Sequence, residues 1–317
     1  MNASRCHTTY PPSADVRGDI AHDVPLAMHT AWGVGGNAAR VFSPADVEDL
    51  ATYLQQLPSE EPVIWLGLGS NVLVRDAGVR GTVVRLGRAF AELALGKAIC
   101  VDGSSFQCVH AGVAVPGAKL ARYCATQGLT GAEFFAGIPG TVGGALAMNA
   151  GAFGGETWPL VRAVETIDRA GTVRRRAASE FSFDYRHLSF PGGGQQEWFI
   201  SATLALAPGD ESHSREAIRS LLRTRAASQP TGQRSCGSVF KNPPDDYAGR
   251  LIESAGLKGK RIGGAVVSSE HANFIINDNT ASAADIERLI LEVQDTVSQR
   301  SGVWLEPEVR IVGEVSQ

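Results

Sequence analysis

Eight of the twenty-five residues from Gly131 to Gly155 (GAEFFAGIPGTVGGALAMNAGAFGG) are glycine. Glycine loses more conformational freedom on folding than any other residue. Such density therefore persists only where main chain must turn sharply or approach a ligand with no Cβ in between. Ile138, Val142, Leu146 and Met148 are interleaved with the glycines, and a flexible polar linker would lack them. Two readings are open: a cradle for a large phosphate-bearing cofactor, or a set of tightly packed buried turns. Either needs a substantial body around it. A chain of 317 residues, 44% hydrophobic and 20% charged, is enough for about two domains and a sizeable core.

Several classes are excluded by composition. A net charge of −4 argues against a nucleic-acid partner or an anionic membrane surface. The five cysteines (Cys6, Cys100, Cys108, Cys124 and Cys236) are odd in number and form no CxxC pair. That disfavours a disulfide framework or a zinc site and fits a reducing compartment. The seven histidines show no metal-ligand spacing, so no metal is expected. No apolar run reaches the eighteen or so residues of a membrane helix, and the N-terminus lacks a signal peptide's apolar core. The expectation is a soluble, cytoplasmic protein.

Residues 1–25 read as a loosely ordered lead-in, and residues 29–37 (HTAWGVGGN) as a short strand and turn. Ser43 offers a helix N-cap with Pro44 at the first helical position and Asp46 three residues after the cap. Val47, Leu50, Leu54 and Leu57 follow at helical spacing until Pro58. Residues 63–66 (VIWL) form a strand that leads into Gly67-Leu68-Gly69-Ser70-Asn71. This is no dinucleotide fingerprint: Val72 replaces the third glycine, and a β-branched strand follows where a helix is required. A tight turn fits, either purely structural or with Ser70 and Asn71 donating to a phosphate. Residues 117–124 read as a helix, 161–167 and 198–204 as strands, and Arg174-Arg175-Arg176 as a solvated face. The polar stretch 208–212 is the expected domain boundary. Beyond it come a helix over 214–225 with Arg215, Arg219, Arg223 and Arg225, and a helix capped by Ser282 and ended by Gly302. A final strand over 303–312 would put Glu306 and Glu308 on one face.

The chemistry-bearing residues are few. Ser238, between Gly237 and Val239 and near Lys241, lacks a nucleophile elbow and a triad partner. It suits a proton donor, or a serine that satisfies a turn. Arg186, beside Tyr185, could clamp a carboxylate or phosphate, or be a surface charge. Glu306 and Glu308 flank Pro307, which suggests an edge or bulge. Residues 256–260 (GLKGK) lack the loop and the Ser/Thr of a phosphate-binding P-loop. Spacing alone stops at a two-domain α+β protein that binds a nucleotide-like cofactor.

Taken in order, the motifs resemble one family closely, the UDP-N-acetylenolpyruvoylglucosamine reductases of peptidoglycan precursor synthesis. The matching pieces are TAWGVGG (30–36), GLGSNVLV (67–74), GIPGTVGG (137–144), Tyr185-Arg186, GSVFKNP (237–243) and LEPEV (305–309). The resemblance implies an FAD-binding α+β region of the vanillyl-alcohol-oxidase type over 26–210, in subdomains 26–90 and 91–210. A substrate domain over 211–317 follows, its last strand packing back toward the FAD site. It implies FAD held by Gly67, Gly69, Ser70, Asn71, Gly137, Ile138, Pro139, Gly140, Thr141, Gly143 and Gly144, with NADPH as hydride donor. The implied reaction reduces UDP-N-acetylglucosamine enolpyruvate to UDP-N-acetylmuramate. Hydride passes from flavin N5 to C3, Ser238 protonates C2, and Arg186 and Glu308 stabilise the enolate-like intermediate. Tyr185, Lys241 and Asn242 correspond to substrate contacts, and the protein is expected to be a monomer. A flavin oxidase of the same cofactor fold and a non-catalytic UDP-sugar-binding regulator are the alternatives. Two departures limit the carry-over. Gly33 stands where the family has Arg or Lys, so no phosphate contact is assigned there. The Tyr-Arg-x-Ser motif is one residue longer here, so Ser189 receives no role. The segment after Arg186 resembles the family's shorter type, without a tyrosine-bearing loop over the substrate.

Overall fold

The structure, a computed structural model, describes residues 15–192 and 197–315. Residues 1–14 of the expected lead-in lie outside the described residues. Residues 19–25 are not a loose lead-in. They form a strand, Asp19–Pro25, antiparallel to Asn37–Ser43. Val79–Val84 and Val63–Trp65 complete this sheet in parallel. No strand forms over 29–36; Thr30 Oγ1 donates to the Val34 carbonyl (2.8 Å) and closes a turn instead.

The first helix, α1 (Val47–Gln56), is capped by Asp46, not by Ser43 as expected. Ser43 is still paired in the strand, whereas the Asp46 carboxylate accepts from Asp49 N at 2.9 Å and complements the positive helix end. The larger sheet is antiparallel throughout, in the order Val173–Ala177, Val161–Asp168, Glu197–Pro208, Ser104–Gly112, Leu93–Val101. Helix α2 (Gly117–Thr126) and the short α3 (Val142–Ala147) lie between its strands in the chain. Both contribute to one large core, with Trp158, Phe135 and Leu146 fully buried.

Helix α4 (Glu211–Ser228) was expected to open the second domain, but it packs on the first core. Ile218 is buried there, and Ser214 Oγ donates to Glu133 Oε1 at 2.6 Å. The second core lies between α5 (Ala248–Ser254), α6 (Ala283–Ser301) and the three-stranded sheet Arg261–Ile262, Ala265–Val267, Ile275–Asn277. The apolar stripe of α6 (Ile286, Leu289, Ile290, Val293 and Val297) is buried in it. Ser282 caps this helix, and Gly302 ends it in the left-handed conformation.

Two parts of the first region make contact with the second. Trp32, fully buried, donates through Nε1 to the Ile275 carbonyl (2.8 Å), and its own carbonyl accepts from Asn277 Nδ2 (2.7 Å). Asp76 accepts from Ala283 N and Ala284 N at the start of α6, both at 2.9 Å. In the reverse direction, Arg310–Val312 pairs in parallel with Val72–Val74. Only these last three residues of the expected 303–312 strand are ladder-paired. Among the described residues no helix is long and apolar enough to cross a membrane.

The Trp32 plug gives a stability prediction. Trp32→Ala removes a fully buried indole and leaves the Ile275 carbonyl without its donor. It should cost about 3–5 kcal/mol in urea denaturation. A loss below about 1 kcal/mol would show that the two cores do not depend on this contact.

Candidate active site

The turn Gly67–Asn71 joins the strands Val63–Trp65 and Val72–Val74. Gly69 is in the left-handed region (φ +61), and a Cβ there would collide with the His29 carbonyl oxygen. Only glycine fits. Ser70 Oγ donates to the Pro139 carbonyl at 2.7 Å, so this turn and the GIPG turn abut. Gly67, Leu68, Pro139 and Gly144 are exposed around that junction, presenting a strip of main chain with few side chains over it. Such a surface fits the close approach of a pyrophosphate-bearing group. Not every glycine in the cradle can offer its N–H, however. Gly143 N donates to the Val113 carbonyl (2.9 Å), and Val142 N to that of Val115 (2.8 Å). Gly144 N is capped by Thr141 Oγ1 (3.4 Å). The start of α3 is therefore largely satisfied within the protein.

Beside the cradle lies a cavity of about 270 Å³. It gathers residues from across the chain: Asn71, Gly137, Ile138, Pro139, Arg186, Ser238 and Glu308 all line it. Glu308 joins them. Its carboxylate accepts from Arg186 Nε (3.0 Å), its carbonyl accepts from Asn71 Nδ2 (3.0 Å), and its N–H donates to the Val239 carbonyl (2.7 Å), next to Ser238. Arg186 sits at the tip of the hairpin Ser182–Asp184 and His187–Ser189. Its Nη2 also donates to the Gly151 carbonyl at 2.6 Å. Arg186 (φ +51) and the cavity-lining Phe153 (φ +52) adopt left-handed backbone, as does Asn149 (φ +44), which is fully buried and holds the hairpin through Nδ2 to the Asp184 carbonyl (3.1 Å). Strained non-glycine backbone of this kind clusters at functional sites.

Glu306 and Glu308 do not share an environment. Glu308 N and Val239 O make one bond and Val309 N shares the same carbonyl (3.3 Å), a bulge-like irregularity that breaks the two-residue alternation. The Glu308 side chain is 13% exposed, whereas that of Glu306 is 70% exposed and pairs with Lys241 at 3.3 Å. Burial raises the Glu308 pKa above the ordinary glutamate range, and the nearby Arg186 and Lys241 cations offset this only in part. The same burial, with the Glu308 carboxylate adding to it, pushes the thiol of the cavity-lining Cys236 well up, which disfavours its thiolate.

Three residues matched to substrate contacts stand outside the cavity lining. Asn242 Oδ1 accepts from Ala248 N at the start of α5 (3.1 Å), Tyr185 Oη accepts from Asn242 N (3.4 Å), and Lys241 is held by Glu306. The cavity also contains residues that the sequence reading did not single out. Arg225 and Gln229, at the end of α4, line it and are hydrogen-bonded to each other at 3.1 Å. Burial pulls the Arg225 pKa down, and Arg225 makes no ion pair with another described residue. A signal existed in the sequence. Arg215, Arg219 and Arg223 pair with Glu211 or Glu216 four, three and seven positions away, whereas Arg225 has no acidic residue at any of those spacings. Among the described residues no group of His, Cys, Asp and Glu could hold a metal ion.

Known proteins give this arrangement a context. Residues 229–312 match the family model described as UDP-N-acetylenolpyruvoylglucosamine reductase, C-terminal domain, and residues 38–176 match that described as FAD binding domain. The chain is 55% identical over 302 residues to the UDP-N-acetylenolpyruvoylglucosamine reductase of Methylococcus capsulatus, covering 95% of this chain and 96% of that one. It is 54% identical over 297 residues to the protein of that name from Alkalilimnicola ehrlichii, covering 94% and 96%. A crystal structure of UDP-N-acetylenolpyruvylglucosamine reductase (MurB) from Thermus caldophilus superposes with a TM-score of 0.76 at 33% identity. That match covers 93% of this chain and 98% of that one.

The environment of Glu308 sets a pH dependence. Its folded pKa lies above its unfolded one, so its stabilising contribution is complete below the unfolded-chain value, about 4.3. It is lost as pH rises through the folded value. Glu308→Gln cannot ionise, so its stability relative to the native protein should rise as pH increases through that window, as read from urea denaturation at a series of pH values. A relative stability that falls instead would mean that Arg186 outweighs burial.

Proposed function

The chain belongs to the UDP-N-acetylenolpyruvoylglucosamine reductase family, and from that premise we propose how its own residues reduce the enolpyruvyl group of UDP-N-acetylglucosamine enolpyruvate to give UDP-N-acetylmuramate. FAD, when bound, supplies the hydride chemistry, taking hydride from NADPH and delivering it to C3 of the enolpyruvyl group. The turn containing Gly67, Gly69, Ser70 and Asn71 and the stretch Gly137, Ile138, Pro139, Gly140, Thr141, Gly143 and Gly144 would hold it. The abutting, exposed turns support that placement.

The observation that carries the assignment of roles is the convergence of Arg186, Ser238 and Glu308 on one cavity. Hydride arriving at C3 builds negative charge toward C2 and its carboxylate. Arg186, oriented by Glu308 and by the Gly151 carbonyl, meets that charge with a fixed cation. A bare carboxylate would repel it. The raised pKa of Glu308 lets its carboxyl keep a proton to higher pH than a free glutamate, so it can donate to the substrate carboxylate. Ser238 Oγ then gives the proton that completes C2. Arg225, a half-buried cation with no carboxylate partner among the described residues, binds an anionic group of the sugar nucleotide, and Gln229 steadies it. Tyr185, Lys241 and Asn242, outside the cavity lining, are proposed to contact the sugar nucleotide.

Dependence on NADPH supports a cytoplasmic setting. The net charge of −4 supports the absence of nucleic-acid and membrane partners.

The test is an anaerobic absorbance experiment on the FAD-loaded protein. NADPH should bleach the flavin band near about 450 nm, a property of oxidised flavin, and the enolpyruvyl UDP-sugar should restore it. Ser238→Ala should leave the bleaching intact and slow the restoration by roughly 10²–10⁴-fold. Arg225→Gln should raise the KM for the sugar by roughly 10- to 100-fold, the loss of one hydrogen bond from a charged group, with bleaching by NADPH unchanged. A bleached flavin that ignores the sugar would remove the assigned substrate.

A further inference from the structure

A proton donor works only if its hydroxyl is held within hydrogen-bonding reach of the reacting atom. On its N-terminal side Ser238 is anchored at Cys236, buried in the second core, and at Arg234, whose carbonyl accepts from Asn277 N (2.9 Å). Gly237 before it is in the left-handed region (φ +80), and residues 235–238 belong to no helix or strand. The hinge at Gly237 leaves the hydroxyl's placement to the segment that follows it. There, one residue binds three successive main-chain groups: Val239 N donates to the Asn273 carbonyl (2.9 Å), Phe240 N donates to Asn273 Oδ1 (3.0 Å), and Asn273 Nδ2 donates to the Phe240 carbonyl (2.8 Å). The side-chain amide pairs with Phe240 as a neighbouring strand's peptide would. Across the segment, Glu308 N donates to the Val239 carbonyl and Lys241 N to that of Glu306 (2.9 Å). Residues 239–241 therefore run between Asn273 on one side and residues 306–308 on the other.

From this geometry we infer that Asn273 is a positioning residue for Ser238. It sets where the hydroxyl stands relative to Arg186 and Glu308 without touching the substrate. The inference rests on the proton-donor role proposed for Ser238. Asn273 is buried, 4% exposed, and is not part of the cavity wall, although the next residue, Phe274, is. Its own main chain is anchored: Asn273 N donates to His271 Nδ1 (3.3 Å), and Phe274 N to the His271 carbonyl (3.0 Å). The amide is chemically specific to this place. It offers one acceptor and one donor side by side, where aspartate would set an acceptor against the Phe240 carbonyl and an aliphatic side chain would leave both main-chain groups unpaired.

The experiment compares the two anaerobic half-reactions in the FAD-loaded native protein, Asn273→Asp, Ser238→Ala and the double variant. In Asn273→Asp, NADPH should bleach the flavin at the native rate, while restoration by the enolpyruvyl UDP-sugar slows by roughly 10- to 100-fold, the cost of a misplaced reacting group. In the Ser238→Ala background the same change should add nothing, because the hydroxyl it positions is gone. Should Asn273→Asp retain no flavin, Asn273→Ser carries the same comparison, since it keeps the main-chain bond to Val239 and releases only the Phe240 pair. An unchanged restoration rate, an equal slowing of both half-reactions, or a slowing that persists undiminished without Ser238 would each overturn the inference. If the native protein is bleached by NADPH but not restored by the sugar, the proposed function fails first and this inference fails with it.

Discussion

Glu308 is the residue on which the site closes. Its carboxylate holds Arg186, its carbonyl takes the Asn71 amide, and its N–H takes the carbonyl of Val239 beside Ser238. Asn71 lies 237 positions away in the chain and Arg186 lies 122 away. Each contact brings a different region of the fold to the same few ångströms. Bringing a carboxylate so far out of water is unfavourable, and the Arg186 guanidinium at 3.0 Å is what makes it tolerable. Under the proposed mechanism the remaining imbalance has a use. A carboxyl whose proton is held more tightly than usual is the form that can serve as a donor to a developing anion.

The architecture follows from the need to fix that meeting point. The first core holds Arg186 on a hairpin and Arg225 on α4, and the second core supports Ser238 and Glu308. Separate cores could slide relative to each other. Trp32 buried in the second core, Asp76 capping α6, and Arg310–Val312 paired with Val72–Val74 link it by burial, charge and main-chain hydrogen bonds to the four-stranded sheet, which has a small core of its own and sends Phe42 and Val84 into the first. The strand link is continuous with the site: Arg310 N donates to the carbonyl of Asn71 (3.1 Å), whose side chain reaches Glu308. The pairing that ties the C-terminus back is thus also the pairing that sets Glu308 against the Gly67–Asn71 turn.

Much of this was legible in the sequence, and for identifiable reasons. Gly69 and Gly140 mark turns because few other residues tolerate their positive φ, and turn chemistry is local, whereas Gly143 and Gly144 lie in α3. The helix over 283–301 was legible because its cap, apolar period and terminal glycine are all local too. The failures are non-local or depend on competition. Ser43 and Asp46 are both good caps, and pairing of Ser43 with Asp19 in the sheet decided between them. Alternation places Glu306 and Glu308 together, but the shared use of the Val239 carbonyl by two successive amides separates them. Arg225 was hidden among four arginines, three of which have acidic partners on their own helix. Asn273 could not have been read at all, since its role depends on Phe240, 33 positions earlier.

The central claim is that Arg186, Ser238 and Glu308 act together on the enolpyruvyl group within one cavity. A crystal structure of the FAD-loaded protein with the enolpyruvyl UDP-sugar bound would test it most directly. The account predicts the substrate carboxylate against Arg186 and Glu308, with Ser238 Oγ facing C2 at hydrogen-bonding range, about 2.6–3.2 Å. An enolpyruvyl group bound elsewhere, with Ser238 facing solvent or the sugar ring, would contradict it.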